Sequence, residues 1–187
     1  MTKKFIEKVT EIPGLIVIKR VPASDNRGLF DKLFCVKEIS SWKNRPIMQI
    51  NRSETKLKGV IRGLHFQQFP HSEYKLVTCL KGSVMDVALD LRKNSPTYGK
   101  TFSIEMTQSN NISLMVPAGC AHGFQTLSNN VEMIYVHSAD YSADYEDGID
   151  SLDHTLKINW PLPCTERSER DKSLKAFDQL KDIKIEV

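Results

Sequence analysis

Short apolar segments separated by turn residues run through most of this sequence, and their spacing limits the folds open to the chain. Residues 84–91 alternate apolar and polar side chains, which places Asp86 and Asp90 on one face of an extended strand. Similar segments cover residues 15–18, 75–80, 101–106, 112–116, 121–127 and 131–137. One more strand is predicted to end near Gln49. Many short strands punctuated by Gly, Pro and Asn are typical of an all-β sandwich or barrel and not of βαβ units.

Helical signals are confined to two places. Residues 36–42 are long enough for one or two turns. A weak capping box begins at Ser168, and apolar residues then recur every three positions from Leu174, as on a helix face packed against a body. The chain has no repeat at solenoid spacing and no linker rich in Gly, Pro or Ser, so we predict one domain over residues 1–187.

The composition excludes several classes of protein. The 187 residues are 40% hydrophobic, which is enough for a real core. A net charge of +3 is too small to indicate nucleic acid, and no apolar run approaches the roughly 18 residues that a membrane helix needs. The basic N-terminus lacks an apolar segment behind it, so we expect a soluble cytoplasmic protein with no nucleic-acid or membrane partner. The four widely spaced cysteines are expected to be buried free thiols.

The densest group of reactive side chains comprises Arg62, His65 and Gln67 on one predicted strand, followed by Lys75. Alternate residues share a face of a strand, so His65 and Gln67 point the same way. A bulge at Gly63 would bring Arg62 round to that face. A surface histidine and a solvated lysine are the ordinary alternative, but four such groups on strands otherwise made of core residues favour a shared site.

Three further candidates each have an ordinary structural explanation. His122 follows the turn at residues 117–119 and, taken alone, resembles a core histidine bonded to the backbone. Tyr135 lies on a predicted strand, where tyrosine is common. Asp171 stands near a helix start, where it would act as a cap.

Residues 117–123 match Pro-x-Gly-x-x-His-Gly, the second motif of the cupins. The first cupin motif has His-x-His and a later Glu as metal ligands, whereas this chain has His65-x-Gln67. Losing the second histidine removes a nitrogen ligand, and Arg62 and Lys75 would repel a divalent ion nearby. The chain therefore resembles a cupin-type jelly roll that holds no metal.

Over nearly its whole length the chain resembles the dTDP-4-dehydrorhamnose 3,5-epimerase family. Segments that match the family in order and spacing are residues 12–14, 25–30, 49–51, 59–67, 75–77, 86–99, 117–124, 135, 159–161 and 168–171. The resemblance implies a cupin-like double-stranded β-helix, or jelly roll, with extra N-terminal strands and a short C-terminal helix. It also implies an isomerase that inverts C3, C5 or both in a nucleotide-linked 4-keto-6-deoxyhexose, through an enolate and without a cofactor.

The resemblance also implies a role for each candidate residue. His65 matches the base, and Asp171 matches its carboxylate partner. Lys75 matches the cation that faces the enolate oxygen, and Tyr135 matches the acid on the opposite face. Matched substrate-binding positions are Arg27, Gln49, Asn51, Arg62, His122, Glu146 and Arg170. In this family Arg27 reaches into the neighbouring subunit's site, which implies a homodimer with exchanged N-terminal strands.

The chain departs from the family pattern where the nucleotide base would be recognised. Residues 29–32 replace a run of aromatics and a binding glutamate, and Asp140 occupies an aromatic position beside Tyr141. Residues 151–153 replace Trp-Asn-Asp, and Arg170 replaces a lysine. These changes leave open a CDP- or GDP-linked substrate and an epimerase restricted to one carbon.

Two alternatives from other classes stay open at this point. One is a metal-dependent cupin enzyme that uses His65, His122 and a carboxylate such as Glu73. The other is a sugar-binding jelly roll without catalytic activity, although binding alone does not require a base, a partner carboxylate, a cation and an acid together.

Overall fold

Two antiparallel sheets form most of the computed structural model of this chain, which describes residues 3–180 and Lys184. The strands are β1 (Phe5–Val9), β2 (Ile16–Arg20), β3 (Ala23–Asp25), β4 (Gly28–Phe30), β5 (Gln49–Thr55), β6 (Ile61–Gln67), β7 (Lys75–Lys81), β8 (Ser83–Asp90), β9 (Thr101–Thr107), β10 (Ile112–Val116), β11 (Cys120–Thr126), β12 (Val131–His137) and β13 (Glu146–Gly148). Within these described residues, helical structure is limited to α1 (Glu169–Lys172) and to 3-10 turns at Ser40–Trp42, His154–Leu156 and Phe177–Gln179.

The strand order is that of a jelly roll. One sheet has the order β1-β2-β10-β7-β12-β5, and the other has the order β13-β6-β11-β8-β9. Four consecutive strand pairs, β5/β6, β7/β8, β10/β11 and β12/β13, are split between the two sheets. The chain thus crosses repeatedly from one sheet to the other, which confirms the predicted all-β, cupin-like fold with extra N-terminal strands and a short C-terminal helix.

The core lies between the sheets because the inward positions of their central strands are apolar. Val77 and Leu114 of the first sheet share one buried cluster with Val84, Ala88 and Phe124 of the second. A second cluster, made of residues 64, 66, 87, 89, 91, 121, 149 and 156, covers the outer face of β6 and β8. Burial on both faces makes β6, β8 and β11 a rigid support for side chains at their ends.

Some sequence-based expectations were wrong in detail. The strand expected to end near Gln49 instead begins there, because the polar segment Gln49–Thr55 gains its extended form from pairing with β12. Residues 36–42 contain only the 3-10 turn Ser40–Trp42, and the apolar residues from Leu174 onward do not form one helix. All four cysteines are free as expected, but they are not all buried, since Cys35 is partly exposed and Cys164 is exposed. The described residues contain no helix with both the length and the apolarity to cross a bilayer.

Strands β6 and β11 approach each other closely through glycine. His122 faces His65 and Phe124 faces Arg62, so two residues of β6, Gly63 and Leu64, lie opposite one residue of β11, Gly123. Gly63 has a φ of 109°, and a Cβ at this position would lie 2.7 Å from the Cα of Gly123. The predicted bulge at Gly63 is therefore confirmed, and it places Arg62 on the same cavity as His65.

Candidate active site

A cavity of about 1130 Å³ opens between the two sheets, a volume that suits a nucleotide-sized ligand. It is lined from one side by β6 and β11 and from the other by β5, β7 and β12. The segment around α1 closes one end. The cavity brings together every predicted site residue except one: His65, Lys75, Tyr135, Asp171, Gln49, Asn51, Arg62, His122, Glu146 and Arg170. Arg27 is the exception.

His65 and Asp171 form a hydrogen-bonded pair on the β6 wall. The His65 Nε2 lies 2.7 Å from the Asp171 Oδ1, and Asp171 is buried. The second carboxylate oxygen accepts a hydrogen bond from the Gly63 backbone N–H at 3.2 Å. With Nε2–H directed at Asp171, the His65 Nδ1 is left as the proton acceptor, since the tautomer follows from the hydrogen bond.

The environment of Asp171 keeps its carboxyl group ionised. Burial acts to raise its pKa, but the hydrogen bonds from His65 and from the Gly63 backbone N–H hold the pKa below its usual value. The side chain of Ser168 caps the helix by accepting from the Asp171 backbone N–H at 3.0 Å. Ser168 is thus the cap, and the Asp171 carboxylate is directed at His65.

His122 is also paired with a carboxylate. Its Nε2 lies 3.0 and 2.9 Å from the two carboxylate oxygens of Asp86, which is completely buried on the neighbouring strand β8. Burial raises the pKa of Asp86, against the attraction of His122. His122 therefore does not bond the backbone as a core histidine would. Its ring lies edge-on to Tyr135, with 6.4 Å between the ring centroids.

Tyr135 is placed on the wall opposite His65. It lies on β12, and its hydroxyl is 3.0 Å from the Ser53 Oγ on the paired strand β5. Burial raises the pKa of the Tyr135 phenol, and the hydrogen bond with Ser53 only partly opposes this. The phenol is therefore protonated at neutral pH and holds a proton that it can donate.

Lys75 is held by a buried carboxylate. Its Nζ lies 3.0 Å from the Glu73 Oε1, while the other carboxylate oxygen of Glu73 lies 2.7 Å from the His137 Nδ1. Glu73, which the metal-dependent alternative would use as a ligand, is thus engaged by two cationic or donor groups. Among the described residues, no group of three or more His, Cys, Asp or Glu side chains is arranged to hold a metal ion.

Polar groups at the rim of the cavity are fixed by neighbouring side chains and the backbone. The Arg62 Nε donates to the Thr55 Oγ1 at 2.9 Å, which leaves part of its guanidinium facing the cavity. The Arg170 Nη2 lies 2.8 Å from the Glu146 Oε1. The Gln49 Oε1 accepts from the backbone N–H of Tyr141 at 3.1 Å. Arg62 and Arg170 are thus two of four arginines that line the cavity, the others being Arg52 and Arg167.

Arg27 lies on an exposed hairpin formed by β3 and β4. Its side chain is 90% exposed and pairs only with Asp25 of the same hairpin, at 2.6 Å. Leu29 and Phe30 on the same hairpin are also exposed. Within the described part of this chain, Arg27 does not line the cavity.

Several partners of the predicted site residues were not found from the sequence. They are Ser53 and His137, which line the cavity, and Asp86, which pairs with His122. Asp86 was placed only on a strand face, Glu73 was named only as a metal ligand, and Ser53 and His137 gave no motif. The contacts of Asp86 with His122 and of Ser53 with Tyr135 join strands that are distant in the sequence. A buried acidic residue on an apolar strand, such as Asp86, is the one signal that was available.

Comparison with known proteins identifies the family. The family model for dTDP-4-dehydrorhamnose 3,5-epimerase matches residues 9–179. The enzyme of that name from Shigella flexneri is 38% identical over 164 residues, covering 87% of this chain and 90% of the relative. The enzyme from Sinorhizobium fredii is 41% identical over 158 residues, covering 83% and 81%.

A solved structure shows the same fold in detail. The dTDP-6-deoxy-D-glucose-3,5-epimerase of Legionella pneumophila, in complex with dTDP-4-keto-L-rhamnose, superposes with a TM-score of 0.89. It is 33% identical in sequence, and the match covers 95% of each chain. Because the family model and these relatives span nearly the whole chain, this protein belongs to the dTDP-4-dehydrorhamnose 3,5-epimerase family of isomerases.

Proposed function

We propose that this epimerase inverts C3 and C5 of a dTDP-linked 4-keto-6-deoxyhexose, with His65 as base and Tyr135 as acid. The observation that carries the assignment is their placement on opposite walls. His65 and its ionised partner Asp171 belong to the β6 side, and the protonated Tyr135 belongs to the β12 side. Inversion requires removal of a proton from one face of a carbon and its return to the other face.

The His65 Nδ1 takes the proton from a carbon next to the ketone, and the electron pair of that C–H bond moves to the 4-oxygen. Asp171 stabilises the imidazolium that forms, as the carboxylate of a catalytic triad does. Tyr135 then gives its proton to the opposite face of the same carbon. The phenolate regains a proton from solvent, and the imidazolium releases one.

Lys75 stabilises the enolate intermediate. Its ammonium group is buried in the cavity on the same sheet as Tyr135. A fixed cation in a site shielded from water is suited to the charge that develops on the 4-oxygen. Such charge stabilisation lowers the barrier for removing either proton.

The nucleotide end of the substrate binds along the rim. Arg62 and Arg170 are suited to the pyrophosphate because a guanidinium donates to two oxygens at once. The remaining binding positions are Gln49, Asn51, His122 and Glu146, all of which line the cavity. The names of the relatives and the ligand of the Legionella enzyme support dTDP as the nucleotide.

A direct test is an NMR exchange assay in deuterated water with dTDP-, CDP- and GDP-linked 4-keto-6-deoxy sugars. We expect deuterium at both C3 and C5 of the dTDP sugar, together with inversion at both carbons. Exchange at one carbon only would restrict the enzyme to a single epimerisation. Faster turnover of the CDP or GDP sugar would reject dTDP, and binding without any exchange would reject catalysis.

We further propose a homodimer in which the N-terminal hairpin of each subunit reaches the cavity of the other. The support is the exposed hairpin itself, which presents Arg27 beside the apolar side chains of Leu29 and Phe30.

We also propose that residues 1–187 form one domain, because both sheets share one core. A cytoplasmic location is supported by the four free cysteines.

Subunit mixing tests the exchanged hairpin. The Arg27→Ala homodimer is expected to lose about 10-fold or more in substrate affinity, since a charge-assisted contact is removed. A mixed dimer of one Arg27→Ala and one His65→Ala subunit, purified through two different tags, would then contain one complete site. We expect about half of the wild-type activity at subsaturating substrate. A mixed dimer as weak as the two parents would show that Arg27 serves its own subunit.

A further inference from the structure

A second polar cluster in the cavity contains two residues, Glu73 and His137, that have no role in the mechanism above. It consists of Glu73 with its two partners, Lys75 and His137. All three side chains are buried, yet all three line the cavity. His137 lies two residues after Tyr135 on β12, and the two rings are roughly parallel with centroids 6.1 Å apart. The cluster thus adjoins the proposed acid on the same wall.

Stability alone is a poor explanation for this cluster. Removing a carboxylate and an ammonium from water is unfavourable for each ion, and their mutual attraction compensates for this only when additional hydrogen bonds are formed. Glu73 has those hydrogen bonds: although burial acts to raise its pKa, the charge of Lys75 and the hydrogen bond from His137 hold the pKa below its usual value. Both carboxylate oxygens are therefore charged and fully used as acceptors.

The hydrogen bond to Glu73 determines which atom His137 presents to the cavity. Because the His137 Nδ1–H donates to the carboxylate, the Nε2 is left as an acceptor. The Asn51 Nδ2 lies 3.5 Å from that Nε2. An amide nitrogen turned toward an acceptor leaves the amide oxygen of Asn51 free to accept a hydrogen bond from the substrate.

We propose that Glu73 and His137 are positioning residues that link the enolate-stabilising cation to a substrate-binding amide. Glu73 fixes the Lys75 ammonium and the tautomer of His137, and His137 fixes the orientation of Asn51. The inference rests on the proposed function for the roles of Lys75 and Asn51. It adds two residues that touch neither the reacting carbons nor the proposed base.

A double-mutant cycle tests the link to Lys75. Glu73→Gln is nearly isosteric and removes only the charge, so we expect kcat to fall about 10- to 100-fold because the ammonium is no longer held in place. In the Lys75→Met background the same change is expected to alter kcat by less than about 2-fold, since partners in one network are not additive. Full multiplication of the two effects would overturn the proposal.

A second cycle tests the link to Asn51. His137→Phe keeps a ring of similar size but removes both nitrogen atoms, and we expect a higher KM with a smaller change in kcat. In the Asn51→Ala background the increase in KM should disappear, because there is no amide left to orient. An unchanged increase in that background would show that His137 does not act through Asn51.

The matched control is Glu132→Gln. Glu132 also lies on β12 and also meets two cations, Arg52 at 2.9 Å and Lys81 at 3.7 Å, but it does not line the cavity. We expect its kcat and KM to equal those of the wild type. A loss as large as that of Glu73→Gln would show that any carboxylate on this sheet has the same effect.

A measurement without substrate separates this proposal from the proposed function. Nitrogen-15 NMR of the free wild-type protein should show His137 protonated at Nδ1, and Glu73→Gln should shift this tautomer, whereas Glu132→Gln should not. If His137 of the wild type were protonated at Nε2 alone, the proposed link from Glu73 through His137 to Asn51 would be rejected, even if the enzyme is active. If the wild type turned over none of the sugars, the proposed epimerase function would be rejected. The NMR result would still decide whether Glu73 sets the tautomer of His137, because that measurement needs no substrate.

Discussion

His65→Ala is expected to reduce solvent-deuterium incorporation at C3 and C5 by about 1,000- to 10,000-fold, the largest effect of any single change in this chain. The reason is that His65 pairs with a carboxylate whose pKa is held below its usual value, whereas burial raises the pKa of Asp86, the partner of His122 on the same side of the cavity. The His65 Nδ1 is free only because Asp171 holds the Nε2–H, and Asp171 is itself fixed by Gly63 and Ser168. Without the imidazole the enolate cannot form, so exchange and inversion should be lost together.

The control for this prediction is His154→Ala. His154 is exposed in a 3-10 turn and does not line the cavity. Both variants should bind the dTDP sugar with nearly wild-type affinity, as measured by calorimetry. Exchange at the wild-type rate in His65→Ala would show that another group is the base.

Tyr135→Phe is expected to lower net epimerisation by about 100- to 1,000-fold while part of the exchange at C5 remains. The change keeps the ring but removes the proton that is delivered from the β12 wall, and a positioned acid contributes about 100- to 10,000-fold. The base is untouched, so deprotonation at C5 can still occur, and protons then return to the face from which they came. Deuterium without inversion, followed by NMR, is the signature of this variant.

A tyrosine outside the cavity provides the comparison. Tyr98 packs against Phe177 with ring centroids 5.5 Å apart, so Tyr98→Phe removes a hydroxyl far from the proposed site. It should epimerise at the wild-type rate. If Tyr135→Phe epimerised equally well, the acid would have to be a different group, and the assignment of the two walls would be wrong.

The sequence predicts the fold well where side-chain alternation reports burial. Residues 84–91 and 131–137 were recognised as strands because their apolar positions face the core, and the structure confirms both. Strand β5 was misplaced because its residues are mostly polar: they line a cavity, and their extended form comes from hydrogen bonds to β12. An alternation of apolar and polar residues cannot reveal a strand whose side chains line a polar cavity.

The residues of the candidate site also fall into two groups, those that the sequence predicted and those that it did not. Residues in motifs, such as His65 and His122, were found from the sequence, and the structure brings them together as a cross-strand pair. Asp171, the partner of His65, was also predicted, whereas Asp86, the partner of His122, was missed because these two residues meet only through the pairing of β8 with β11. Arg27 stays a proposal, since within this chain its hairpin extends away from the cavity.

The glycines around β6 have a consequence for how this enzyme diversifies. A Cβ at Gly63, Gly123 or Gly148 would lie 2.5 to 2.7 Å from a neighbouring backbone atom, so the backbones on both sides of His65 are in direct contact. No larger residue fits there unless two strands change at once. These three positions beside the proposed base are therefore closed to substitution by single steps. The side chains of the exposed N-terminal hairpin, such as Leu29 and Phe30, face no such restriction and can be exchanged one at a time.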